Sequence, residues 1–172
     1  MHAVVVYESL FGNTRRIAEA VAEGIRTARP DLEVMCLPVA TADADGHLDR
    51  ASLVVAGGPT HVLGMSSPRT RTSQDKDHQL AGPGVREWLA GLPAAPHGAR
   101  AAAFDTRMDK WFAGGAAPRI ARGLRRAGYH LAADPQAFLV EGMPGPLRAG
   151  ELERARYWGS ALTARIPTAV QF

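Results

Sequence analysis

The chain has 172 residues, 46% hydrophobic and 22% charged, with one cysteine (Cys36) and a formal net charge of +3. That length suits one domain with a sizeable core. The composition excludes disorder, collagen or coiled coil as a description of the whole chain, and the lone thiol excludes an internal disulfide. No stretch approaches the ~18 uninterrupted apolar residues of a membrane span. The N-terminal apolar run lacks the basic region and cleavage site of a signal peptide, so a cytoplasmic location is expected. Charge is uneven: residues 1–50 carry five basic and eight acidic side chains, and residues 99–131 carry seven basic and two acidic.

Residues 3–7, Ala-Val-Val-Val-Tyr, form an apolar run without alternation, the pattern of a strand buried on both faces. Residues 14–28 place Ile17, Val21, Ile25 and Ala28 at helical spacing. A second strand is predicted over 32–37, and a third over 53–56, ending at Gly57, Gly58 and Pro59. Residues 66–80 are the one long polar stretch, read as an excursion after the third strand. A short helix follows over 85–92 and a fourth strand over 101–104. Pro118 suits the first turn of a helix that runs to about Ala127 and closes at Gly128. Strand character returns over 129–140, interrupted by Asp134 and Pro135, and a last helix covers about 151–165. The expected organisation is one domain over 1–165 and a tail over 166–172. Strands alternating with helices imply an α/β fold, a doubly wound five-stranded parallel sheet of order 2-1-3-4-5.

In such a sheet ligands bind beyond the carboxyl ends of the strands, where the order switches. Three loops therefore carry the chemistry. The first contains Ser9, Leu10, Phe11, Gly12, Asn13 and Thr14 and opens directly onto a helix. Hydroxyls and free amides at a helix N-terminus make an anion cradle, although Ser9 and Thr14 would also serve as plain helix caps. No Gly-Lys pair exists for a P-loop, and Gly12 is alone where a dinucleotide fingerprint needs three glycines. A phosphoacceptor domain of this topology would need acidic residues at the strand ends, where the third strand has glycine. The second loop is Pro59, Thr60, His61, Val62, Leu63 and Gly64; the third begins at Asp105, Thr106 and Arg107.

The run S-L-F-G-N-T at 9–14 resembles the phosphate loop of the flavodoxins, and G-G-P-T-H-V-L-G at 57–64 looks like their second flavin loop. A looser similarity covers Gly145 to Gly159. The resemblance implies non-covalently bound FMN, with its phosphate on Ser9 to Thr14 and its ring between Pro59 to Gly64 and Asp105 to Arg107. It implies an electron-transfer protein working between redox partner proteins, a reductase and an acceptor. Two alternatives stay open: an NAD(P)H-dependent quinone-type flavin reductase of the same fold, and a flavodoxin-like interaction module that has lost tight FMN binding. No catalytic residue, metal site, nucleic-acid motif or oligomeric state is assigned.

The chain departs from the family pattern at three points. Phe11 stands where the loop usually has a hydroxyl. The aromatics that commonly sandwich the flavin are not evident, Trp111 and Phe112 being more usual as core or docking residues. The chain is also basic where carrier flavodoxins are acidic. Arg119, Arg122 and Arg126 share one helical face, readable as a solvated face, as a docking patch for an acidic partner, or as a site for the 2′-phosphate of NADPH. His61 and Arg107 are the side chains best placed to meet a flavin or its anionic reduced form. Asp75, Asp77 and His78 have spacing too loose for a metal site, and Cys36 reads as an inert thiol.

Overall fold

A computed structural model describes residues 1–43, 45–61, 64–74, 82–109, 114–142 and 144–168, without the side chains of 72–74. The elements are β1 (His2–Tyr7), α1 (Asn13–Ala28), β2 (Glu33–Pro38), β3 (Ala51–His61), β4 (Gly64–Met65), α2 (Pro68–Gln74), α3 (Val85–Ala90), β5 (Arg100–Met108), α4 (Ala116–Arg126), β6 (His130–Leu131), β7 (Gln136–Val140) and α5 (Glu151–Leu162). The sheet runs β2-β1-β3-β5, with β6 and β7 in turn alongside β5 and all of these pairings parallel. The doubly wound order expected from the sequence is therefore present.

Strand alternation divides the core into two layers. Ala3 and Val5 of β1, Leu53 and Val55 of β3, and Ala102 and Phe104 of β5 face α1 and α5. Val4 and Val6, Val54 and Ala56, and Ala101 and Ala103 face α3 and α4. Burial on both sides explains why these strands read as unbroken apolar runs. The α1–α5 layer centres on Phe104, Phe138 and Trp158, whose rings meet edge-on with centroids 5.9 to 6.2 Å apart. α1 crosses α5 closely because Gly24 faces the Arg156 backbone and Gly159 faces the Val21 backbone, where any Cβ would collide with a carbonyl oxygen.

The fifth strand is in two pieces. Residues 130–131 and 136–140 pair with opposite ends of β5. The segment between them contains Pro135, which has no N–H to donate to a ladder. β3 is longer than predicted: it continues through Gly57, Gly58 and Pro59 opposite Phe104, Asp105 and Thr106, then turns back as a short hairpin with β4. β1 stops opposite Gly57, so Pro59 lies beyond the three-strand centre, where proline is tolerated. Part of the polar excursion is helical, α2; Asp75, Asp77 and His78, whose spacing is too loose for a metal site, lie outside the described residues. Ile166 is buried against the α1–α5 layer.

Candidate functional site

A cleft of about 480 Å³, measured to its open mouth, lies beyond the carboxyl ends of β1, β3 and β5. Leu10, Phe11, Asn13 and Thr14 from the first loop line it, together with Pro59, Thr60 and His61 from the second and Thr106 and Arg107 from the third. The switch-point rule thus brings nine of the fifteen predicted residues to one cavity. Ser9 faces a separate depression behind the loop, beside Pro38, Val39 and Arg71. Gly12 shapes the loop, Gly64 lies beneath the Arg119 guanidinium, and Asp105 is fully buried within β5, which extends beyond the predicted 101–104. Val62 and Leu63 lie outside the described residues, as do Trp111 and Phe112.

The first loop is built to present amides. Gly12 caps α1 with φ +86°, a left-handed conformation that disfavours any side chain, and its N–H donates to Ser9 Oγ at 3.1 Å. The first intrahelical bond runs from Arg16 N–H to Gly12 C=O. The N–H groups of Asn13, Thr14 and Arg15 therefore have no helical partner, no side chain caps them, and the first turn holds no acidic residue. Positive dipole and unpaired donors coincide there. Asn13 donates its side-chain N–H to Pro144 C=O at 2.7 Å, tying the loop after β7 to the site. Thr14 and Thr106 hydroxyls lie 2.8 Å apart, so one hydrogen bond joins them and one O–H hydrogen is left over.

Asp105 organises the third loop. Its Oδ2 accepts the Ala117 N–H at 2.9 Å, while Thr60 Oγ1 accepts the Ala116 N–H at 3.0 Å. These two tertiary caps start α4 at Ala116, two residues before Pro118. Arg107 Nε lies 3.6 Å from Asp105 Oδ1, holding the guanidinium at the cleft wall. Burial raises the Asp105 carboxyl above its ordinary range, against the pull of the Ala117 amide and Arg107.

His61 is 5% exposed and lines the cleft, and its Nδ1 has no hydrogen-bond partner among the described residues. Burial holds its pKa below the ordinary 6.5, opposed by the nearby Glu8 carboxylate. The imidazole is therefore neutral at pH 7. Glu8 belongs to a buried network that the sequence did not signal. It accepts from the Ser66 hydroxyl and from Val85 N–H, and Arg71 bonds both Ser66 Oγ and the Glu87 carboxylate. Burial works against ionising Glu87, but the Arg71 guanidinium and the Glu87 and Gly84 amides together outweigh it, and its carboxyl sits below the usual range. The network pins the start of the excursion and α3 to the end of β1.

The sequence also missed Met108, Val140, Gly142 and Pro144, which complete the cleft wall. The available signal was the Gly/Pro-rich run after the fifth strand, at residues 142–146. Among the described residues no group of His, Cys, Asp or Glu is arranged to hold a metal ion, and no helix is long and apolar enough to cross a membrane.

No protein-family model matches the chain, and no curated protein sequence is similar enough to match it. Solved structures do match over nearly its whole length. A flavodoxin from the domain Archaea has a TM-score of 0.67 at 23% identity, covering 96% of this chain and 98% of its own. Oxidised flavodoxin 1 from Bacillus cereus has a TM-score of 0.71 at 15% identity, covering 97% and 100%. A flavodiiron core from Synechocystis sp. has a TM-score of 0.65 at 18% identity, covering 95% of this chain and 35% of its own. The chain has the flavodoxin-like fold.

Proposed function

We propose that the chain binds FMN in the cleft and acts as an electron-transfer protein between redox partner proteins. The observation that carries this reading is the opening of the cleft onto the start of α1, where Asn13 and Thr14 line it and the first three helical amides have no helical partner. They are donors for a phosphate that needs no lysine. The donor set fits the group. Asn13, Thr14 and the Arg15 amide would hold the phosphate. Leu10, Pro59, Met108 and Val140 would supply apolar wall for a flat ring, and Arg107 would lie beside it as a cation. Bound FMN would supply the one- and two-electron chemistry, and the chain supplies binding, orientation and electrostatics. Arg107, anchored by Asp105, would favour added negative charge in the cleft.

The neutral His61 imidazole on the cleft wall favours one second reading, the NAD(P)H-dependent quinone-type flavin reductase, in which His61 would hold or pass a proton. A single experiment separates them. The purified chain is loaded with FMN and its visible flavin spectrum is followed with NADPH, with and without a quinone. Stable FMN loading with no NADPH oxidation by the chain alone supports the carrier. Steady NADPH oxidation supports the reductase. A chain that FMN cannot reconstitute overturns both and leaves the interaction module.

A further inference from the structure

The strongest feature outside the cleft is a groove between α3 and α4. Met65, Leu89, Leu92 and Ala127 form its floor, and Arg86, Arg119 and Arg126 stand along it. Gly123 sets the depth, since a Cβ there would press into Leu89. No acidic residue occurs between Asp109 and Asp134, and among the described residues Arg86, Arg119, Arg122, Arg125 and Arg126 form no ion pair. Arg15, Arg29, Arg71, Arg107, Arg148, Arg154 and Arg156 pair with carboxylates, so among the described residues five of the eleven arginines without an ion pair gather on α3 and α4. Arg86 is also pre-set: its guanidinium donates to the Met65 and Ser66 carbonyls at 3.0 Å.

The groove borders the cleft across the β3–β4 hairpin. Arg119 lies over Gly64, Gly64 pairs with His61 across the β3–β4 hairpin, and His61 lines the cleft. We propose that this groove is the docking surface for an acidic partner protein, one presenting carboxylates around an apolar contact. Its redox role rests on the flavin reading above, whereas the docking surface itself does not. Charge complementarity supplies the argument. Arg119 and Arg126 are seven residues apart on one helix, about 10 Å along its axis, too far for one phosphate to bridge and well matched to a row of carboxylates. Among the described residues no aromatic side chain lines the groove to stack bases, which disfavours single-stranded nucleic acid. Its leucines are half-buried instead of projecting, which disfavours insertion into a lipid surface.

The test uses the full chain and a labelled amphipathic helical peptide of glutamate and leucine, with its scrambled sequence as the comparison. Binding is read by fluorescence anisotropy at low and physiological salt. The peptide is expected to bind and to weaken with salt. It should lose at least about tenfold in affinity to the double variant Arg119→Glu/Arg126→Glu. Arg165→Glu, an exposed site beyond α5 on the opposite layer, should stay within about twofold. Amide shifts on binding should cluster at Met65, residues 86–92 and 119–127. Thermal melts confirm that each variant folds. Equal losses from both reversals, shifts elsewhere, or tighter binding of duplex DNA or anionic phosphatidylglycerol vesicles than of the peptide would overturn the proposal. FMN titration of the same variants is scored separately. Unchanged FMN affinity alongside lost peptide binding is the expected pattern, and failure of FMN to bind any form removes the flavin reading alone.

Discussion

Thr14 carries two duties at one atom. Its hydroxyl bonds Thr106, joining the head of α1 to the end of β5, and its amide is one of the three donors there without a helical partner. Thr14→Ala leaves Thr106 without that partner and removes a hydroxyl from the cleft. A hydroxyl bond to a charged phosphate is worth about 1.5 kcal/mol, so FMN affinity should fall roughly tenfold by fluorescence titration; unchanged affinity would place the phosphate elsewhere. His61 gives a pH dependence with a definite sign. Burial depresses its folded pKa below 6.5, so between the two values the unfolded chain binds more protons than the folded one. This contribution to stability is complete above pH 6.5, falls as pH drops through that window, and levels off below the folded pKa. Denaturant unfolding at several pH values should show that loss reduced in His61→Gln. Titration of Cys36 is irrelevant near neutrality, because burial pushes its thiol up to about 11.

At the scale of elements, local pattern located most of the strands and helices and missed what long-range contacts decide. The strands sandwiched between two helical layers were legible because burial on both faces leaves no polar alternation. The length of β3 was not, because glycines and a proline hide a strand whose continuation depends on pairing with β5. The start of α4 was also hidden. Sequence offered Pro118, while the actual caps are Asp105 and Thr60, on two other strands. The Glu8–Ser66–Arg71–Glu87 network was equally invisible, its members lying up to 79 residues apart in a chain that gives no spacing rule for them. Removing Arg71 would leave the Glu8 carboxylate buried with fewer partners. Arg71→Met should therefore cost about 3 kcal/mol in urea unfolding, and a change within experimental scatter would show the network to be passive. The α1–α5 crossing gives a sharper case. Gly159→Ala improves helix propensity by up to ~1 kcal/mol. The new Cβ would nonetheless collide with the Val21 carbonyl, so a net loss of about 1–3 kcal/mol is expected from the urea midpoint.

Over the whole molecule, two apolar layers enclose the sheet and polar groups gather at its carboxyl edge, where strand order reverses. That placement is why four of the nine predicted residues lining the cleft come from the loop after β1 and the start of α1, three from the end of β3 and two from the end of β5, a strand that runs past the predicted 101–104. The fourth contributor, the loop after β7, lay outside the three-loop expectation because its link to the site is the Asn13–Pro144 bond, a contact 131 residues apart in sequence. The charge asymmetry noted in the sequence becomes spatial: the unpaired arginines of α4 stand on the layer opposite α1 and α5, beside the hairpin that borders the cleft. The central claim remains that the cleft selects its ligand through a phosphate held at the start of α1. Parallel fluorescence titrations with FMN and with riboflavin, which lacks the phosphate, test it most directly. FMN should bind at least about tenfold more tightly, since charge-assisted bonds to unpaired amides supply the difference. Equal affinity for the two flavins, or no binding of either, would contradict the account.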